Sequence, residues 1–196
     1  MKLILASNSP RRSELLRNAG YDFVIDPSGV DEGEPQAGEL PEEYSRRIAR
    51  AKALHVAGRS PAGSLVLGAD TIVTLGGIVL GKPRDVGDAA RMLRMLSGQT
   101  HQVVTAICLV RAPDRIEALD HATTLVTFRE LEDREISAYT ATREPFDKAG
   151  GYAIQGLASK FVLRISGCYF NVVGLPVSLL DAMLKPLMQA GPQAEA

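Results

Sequence analysis

The chain has no surplus of charge of either sign. Among 196 residues, Lys plus Arg number 22 and Asp plus Glu number 23, a formal net charge of −1. Holding a long nucleic acid through its phosphates takes a clear basic excess, so a binder of nucleic-acid polymers is excluded on charge. An acidic disordered tail is excluded as well, because 45% of residues are hydrophobic and only 23% are charged. Cysteine is scarce. Cys108 and Cys168 have no CxxC or other metal spacing, and both lie in apolar, strand-like runs. They read as small core hydrophobes, not as a disulfide or a reactive thiol, which fits a reducing compartment. No stretch approaches the roughly 20 apolar residues of a membrane span, and the apolar start at residues 1–6 is too short for a signal peptide. The expectation is a soluble cytoplasmic protein with no membrane partner.

Familiar catalytic signatures are missing too. G-x-G-x-x-G, H-E-x-x-H and G-x-S-x-G do not occur. His55, His101 and His121 are isolated and read as structural or exposed residues, not metal ligands. Tyr152, Tyr169 and Phe170 read as packing residues, with no RNA-binding aromatic motif around them. Residues 76–82 match G-x-x-x-x-G-K, but Pro83 stands where a Ser or Thr must reach Mg²⁺. The two glycines also sit inside a hairpin pattern, so the P-loop reading is rejected.

What is present is an alternation of strands and helices. Residues 3–6 predict a short buried strand. Ser9 then suits an N-cap and Pro10 a first helical position. Leu15, Leu16 and Ala19 form one stripe, and Gly20 can end the helix. Residues 21–25 predict a second strand. A Gly- and Pro-rich acidic loop, 26–41, carries Asp31, Glu32, Glu34 and Glu39. It is a solvated surface loop or, at that length, a functional one. Residues 42–57 predict a helix with Tyr44, Ile48, Ala51 and His55 on one stripe and Lys52 at its border. An apolar run ends at Gly68-Ala69-Asp70, and 71–75 and 78–80 form a hairpin about Gly76-Gly77. A helix follows over 85–96, with Val86, Ala89, Ala90, Leu93 and Leu96 inward. Long strands follow at 102–110 and 116–128, a helix at 133–142, strands at 161–165 and 169–173, and a last helix carrying Val177, Leu180, Leu184 and Leu187. This order predicts an α/β fold, a mixed twisted sheet with flanking helices. It gives one domain over 1–189 and a frayed tail at 190–196.

Three places offer chemistry. At Ser7-Asn8-Ser9-Pro10-Arg11-Arg12, a strand-to-helix turn joins free N–H groups and a helix dipole to hydroxyls and guanidiniums, which suits phosphate oxygens. The plain alternative is a capped helix with two exposed arginines, although two cations there oppose the dipole. Asp70 ends an apolar run, either as a turn aspartate or as a ligand-facing carboxylate. Lys82 is a surface lysine, or a cation near Asp70 if the hairpin folds back.

Taken together, residues 5–12, Gly68-Ala69-Asp70-Thr71, Gly81-Lys82-Pro83, 147–156 and 171–176 resemble the Maf family of nucleotide pyrophosphatases, over about residues 3–187. The resemblance implies a Maf/ITPase-like fold with an active-site cleft between two lobes, and a homodimer. It implies hydrolysis of nucleoside triphosphates to monophosphate and pyrophosphate with a divalent cation, Mg²⁺ or Mn²⁺. Arg11, Thr71 and Gln155 resemble the specificity positions of the dTTP/UTP branch. The 7-methyl-GTP branch typically has an aromatic residue, Gln and Glu at those places. By the same resemblance Asp70 is the catalytic proton acceptor, and Ser7, Arg12, Lys52 and Lys82 bind phosphate. Asp70 and Glu32 are the candidate metal ligands. A nucleotide-binding regulator of septum formation with little turnover is the rival of another class.

Overall fold

The computed structural model describes residues 2–189, so the tail 190–196 expected to fray lies outside the described residues. The chain opens with β1 (Leu3–Leu5), α1 (Pro10–Asn18) and β2 (Phe23–Ile25). The Ser9 hydroxyl accepts the Arg12 backbone N–H and Pro10 takes the first turn, as the local sequence dictates. After the acidic loop come α2 (Pro41–Ala57), β3 (Leu65–Leu75), β4 (Ile78–Leu80) and α3 (Val86–Leu96). Then follow β5 (Thr100–Arg111), β6 (Arg115–Phe128) and α4 (Asp133–Thr140). Two 3₁₀ turns, Ala149–Gly151 and Leu157–Phe161, lead into β7 (Val162–Ser166), α5 (Tyr169–Val173) and α6 (Val177–Gln189).

The strands form one sheet in the order β2-β1-β3-β5-β6-β7, with β4 also paired to β3. β1 is parallel to β2 and β3, and every other pair is antiparallel. One face packs α2 through Ala49, Ala53 and Val56 against Ile4, Val66 and Cys108. The other face carries two apolar clusters. The first joins Leu5, Leu16, Leu67, Leu109, Leu180 and Leu184. The second joins Val73, Leu93, Leu96, Val103, Phe128 and Phe161. Ile154 packs against both. No helix among the described residues is long and apolar enough to cross a membrane.

Several expectations need correction. The apolar run does not end at Gly68-Ala69-Asp70. β3 runs straight through it, because β5 pairs with β3 continuously from Leu65 to Thr74. The buried face of α2 advances by fours, through Tyr44, Ile48, Lys52 and Val56, so Ala51 is half-buried and His55 exposed. Val86 is 53% exposed at the start of α3, where Asp88 and Met92 turn inward instead. Residues 169–173 are helical, not a strand. Asn171 is fully buried, and its side-chain amide donates to the Val103 carbonyl and the Thr124 hydroxyl, both at 2.9 Å. Those tertiary bonds and the left-handed Gly174 (φ 125°) override a β-prone run. Cys108 is buried in β5 as expected, whereas Cys168 is half-buried at the start of α5; both thiols are free.

Candidate active site

The position of the site follows from unequal strand lengths. One edge of β3 is covered by β1 as far as Leu67 and by β4 from Val73 onward. Between them, residues 68–72 of β3 have no paired strand on that edge among the described residues. Side chains alternate along the strand, so Asp70 faces α2 while Thr71 faces the opposite side. The β1–α1 turn, the acidic loop, the end of β4 and the 3₁₀ segment close around this gap. The resulting cleft is about 380 Å³. Ser7, Arg11, Arg12, Glu32, Lys52, Asp70, Thr71, Lys82 and Gln155 all line it.

On the α2 side, Lys52 and Asp70 are 8% and 5% exposed. The Lys52 ammonium donates to Asp70 Oδ1 at 2.8 Å and to Glu32 Oε1 at 2.7 Å. Either charge alone would be costly to bury, and the pairing removes most of that cost. Lys82 Nζ stands 3.7 Å from Glu32 Oε2. Partial burial of Glu32 works to raise its pKa, but the Lys52 bond and the charges of Lys52, Lys82 and Arg12 outweigh it. The carboxyl is held below its usual range.

On the opposite side, the Arg12 guanidinium is fixed by three partners. Nε donates to the Gly174 carbonyl at 2.9 Å, Nη1 to the Ser7 hydroxyl at 3.1 Å and Nη2 to the Thr71 hydroxyl at 3.0 Å. Burial draws Arg12 below its ordinary pKa, with Asp70 and Glu32 opposing that pull. Thr71 Oγ1 lies 3.0 Å from Thr105 Oγ1, which donates to the Asn171 carbonyl at 2.9 Å. The Thr71 hydroxyl is therefore engaged by Arg12 and Thr105 and orients the guanidinium. Arg11 and Gln155 line the cleft with no side-chain hydrogen bond among the described residues, free to meet a ligand.

Asp147 and Lys148, which open the 147–156 segment of the family resemblance but carry no assigned role there, also line the cleft. Lys148 donates to the Asp147 carboxylate and, at 2.9 Å, to the Glu144 carbonyl. The histidines stay apart from the site. His101 is buried against Tyr152 with Nε2 2.8 Å from the phenol oxygen, and His55 is exposed.

Among the described residues no three His, Cys, Asp or Glu side chains converge as a ready-made metal cage. Two carboxylates do converge. Asp70 and Glu32 each spend one oxygen on Lys52, which leaves Asp70 Oδ2 without a hydrogen-bond partner among the described residues and Glu32 Oε2 with Lys82 Nζ at 3.7 Å. A hard cation that keeps waters and takes ligands from a phosphate substrate needs only one or two such carboxylates, so the donor set fits Mg²⁺ or Mn²⁺.

A family model described as Maf-like protein matches residues 2–187. A dTTP/UTP pyrophosphatase of Koribacter versatilis is 51% identical over 185 residues, covering 94% of each chain. One from Ruminiclostridium cellulolyticum is 45% identical over 185 residues, covering 94% of this chain and 95% of that one. Among solved structures, a HAM1 protein from Coxiella burnetii superposes with a TM-score of 0.54 at 18% identity. It covers 97% of this chain and 100% of that chain, a likeness of fold alone.

Proposed function

The chain belongs to the Maf-like family, and from that premise we propose that it hydrolyses dTTP and UTP to the monophosphate and pyrophosphate. The observation that carries the reading is a single cleft in which Arg11, Arg12, Lys52 and Lys82 face Asp70 and Glu32. A triphosphate brings about four negative charges, and phosphoryl transfer is mainly a matter of charge and position. A cleft of about 380 Å³ has the size of a small-molecule site and suits one nucleotide.

Arg11, Arg12 and Lys82 clamp the phosphates, with Arg12 aimed in advance by Ser7, Thr71 and Gly174. A water attacks the α-phosphorus, and Asp70 accepts its proton while Lys52 holds the carboxylate in place. The bond from the α-phosphorus to the bridging oxygen breaks, and its electron pair leaves with pyrophosphate. Asp70 and Glu32 would hold Mg²⁺ or Mn²⁺, which when bound supplies positive charge to the phosphate oxygens. Gln155 offers one donor and one acceptor to the imide edge of thymine or uracil. The proposal extends to a homodimer working in the cytoplasm, as the family resemblance implies, and sedimentation of the purified chain checks the first.

The test is product analysis after incubation with dTTP, UTP, CTP and 7-methyl-GTP in Mn²⁺. Monophosphate plus pyrophosphate from dTTP and UTP is expected, with turnover abolished by EDTA. No turnover of any triphosphate overturns the enzyme, and a preference for 7-methyl-GTP overturns the branch.

Arg12→Lys is expected to lower kcat/KM for dTTP about a hundredfold, because a lysine offers one nitrogen where three separate ones meet Ser7, Thr71 and Gly174, and an ammonium spent on those acceptors has no N–H left for phosphate. Steady-state kinetics check this, and a loss under fivefold would mean that the fork geometry is dispensable.

A further inference from the structure

Gln155 is exposed at the middle of residues 153–157, between buried Tyr152 and buried Ala158. The segment's own turn bond, Gly156 N–H to the Ala153 carbonyl at 3.1 Å, bends it but does not tie it to the rest of the protein. Two side chains outside the cleft do that. The Ala153 N–H donates to the Tyr139 phenol oxygen at 3.3 Å, and that phenol donates to Glu144 Oε1 at 2.9 Å. Glu144 Oε2 accepts the Leu157 N–H at 3.0 Å, and Oε1 accepts the Ala158 N–H at 3.4 Å. One phenol–carboxylate pair thus grips the segment on both sides of Gln155.

The pair is itself held. Tyr139 is 3% exposed and packs edge-on against Phe161, with ring centroids 5.3 Å apart. The Glu144 N–H donates to the Thr142 hydroxyl at 3.2 Å. The carboxylate lies so close over Gly156 that a Cβ there would stand 2.3 Å from Glu144 Oε2. Burial and the Glu144 carboxylate both push the Tyr139 pKa up, so the phenol keeps its donor proton.

We propose that Tyr139 and Glu144 are positioning residues that set where Gln155 sits and thereby set the base preference of the cleft. The inference rests on the reading of Gln155 as a base-facing residue. Discrimination through hydrogen bonds depends on placement, and displacement of a reading group by about an ångström is enough to lose it.

Tyr139→Phe keeps the ring and removes both bonds of the phenol oxygen. Glu144→Gln keeps the size and removes one backbone acceptor and the charge. Each variant is expected to raise KM for dTTP about tenfold with kcat within about threefold, and to lower the dTTP-over-dCTP ratio of kcat/KM about tenfold. The double variant should cost no more than the worse single one, since both act through one clamp. A merely structural role would lower the melting temperature and leave the ratio alone. Folded variants by circular dichroism that keep the wild-type ratio within twofold overturn the inference, as does an equal fall in kcat for both nucleotides. If Tyr139→Phe does not fold, half-buried Glu144 carries the test alone. A wild type without dTTP preference would instead remove the functional reading beneath it.

Discussion

Asp70→Asn is expected to lower kcat/KM for dTTP and UTP by about a thousandfold or more, the scale of losing a positioned general base. The change is nearly isosteric, so the loss reports chemistry. An amide cannot take a proton from water at neutral pH, and it offers a poorer ligand to a divalent cation. It also leaves Lys52, only 8% exposed, with Glu32 as its one carboxylate partner. A stability cost of about 2 kcal/mol follows, because a buried ammonium has lost half of its compensation. Nucleotide binding should survive within about tenfold, since Arg11, Arg12 and Lys82 are untouched. Initial rates, a binding isotherm with a non-hydrolysable dTTP analogue and a melting curve separate the three effects. Retention of more than a tenth of wild-type activity would remove Asp70 as the proton acceptor. The rival reading as a septum regulator predicts something else, namely an unchanged cellular effect of the Asp70→Asn protein.

The parts of the fold legible in the sequence are those decided within a few residues. Ser9 and Pro10 start α1 through a local hydroxyl bond and a preset φ. Gly76 and Gly77 turn the β3–β4 hairpin because both need positive φ, 58° and 83°. Where distant contacts decide, the sequence pattern misleads. Residues 169–173 have strand-like composition, but Asn171 finds its partners on β5 and β6 only as a helical turn. Gly68 looks like a strand end and is instead a point where α2 packs so close to β3 that a Cβ has no room. The site divides in the same way. The resemblance nominates Ser7, Arg11, Arg12, Glu32, Lys52, Asp70, Thr71 and Lys82, all of which line the cleft, but not Ser28 of the same acidic loop as Glu32. It says nothing of the arrangement in which Lys52 is shared by carboxylates 20 and 18 residues away. Tyr139 and Glu144 gain their meaning from backbone brought near by the 3₁₀ turns.

The close approach at Gly68 gives the largest expected effect on stability. A Cβ there would lie 2.2 Å from the Ala49 carbonyl oxygen, 2.7 Å from the Ala53 nitrogen and 2.8 Å from the Ala53 Cβ. Two of these atoms are backbone of α2, so no side-chain rotation relieves the clash. Its φ is not in the left-handed region, and contact alone requires the glycine. Gly68→Ala must therefore lift α2 off the sheet, opening the cluster of Ala49, Ala53 and Val56, each fully buried. The cost is expected to be about 3 kcal/mol or more, beyond ordinary overpacking because the obstacle is main chain. For a chain of this size that is a fall of about 6–12 °C in melting temperature. Gly29→Ala, with nothing within 4 Å of the new methyl group, should move it by less than about 2 °C. The same lift carries Lys52, the neighbour of Ala53, away from Asp70 and Glu32. Activity should then fall about a hundredfold even where the variant is fully folded, because misplacement of about an ångström is that costly. A folded Gly68→Ala protein with wild-type kcat/KM would show that the seat of α2 on β3 does not set the Lys52–Asp70 contact.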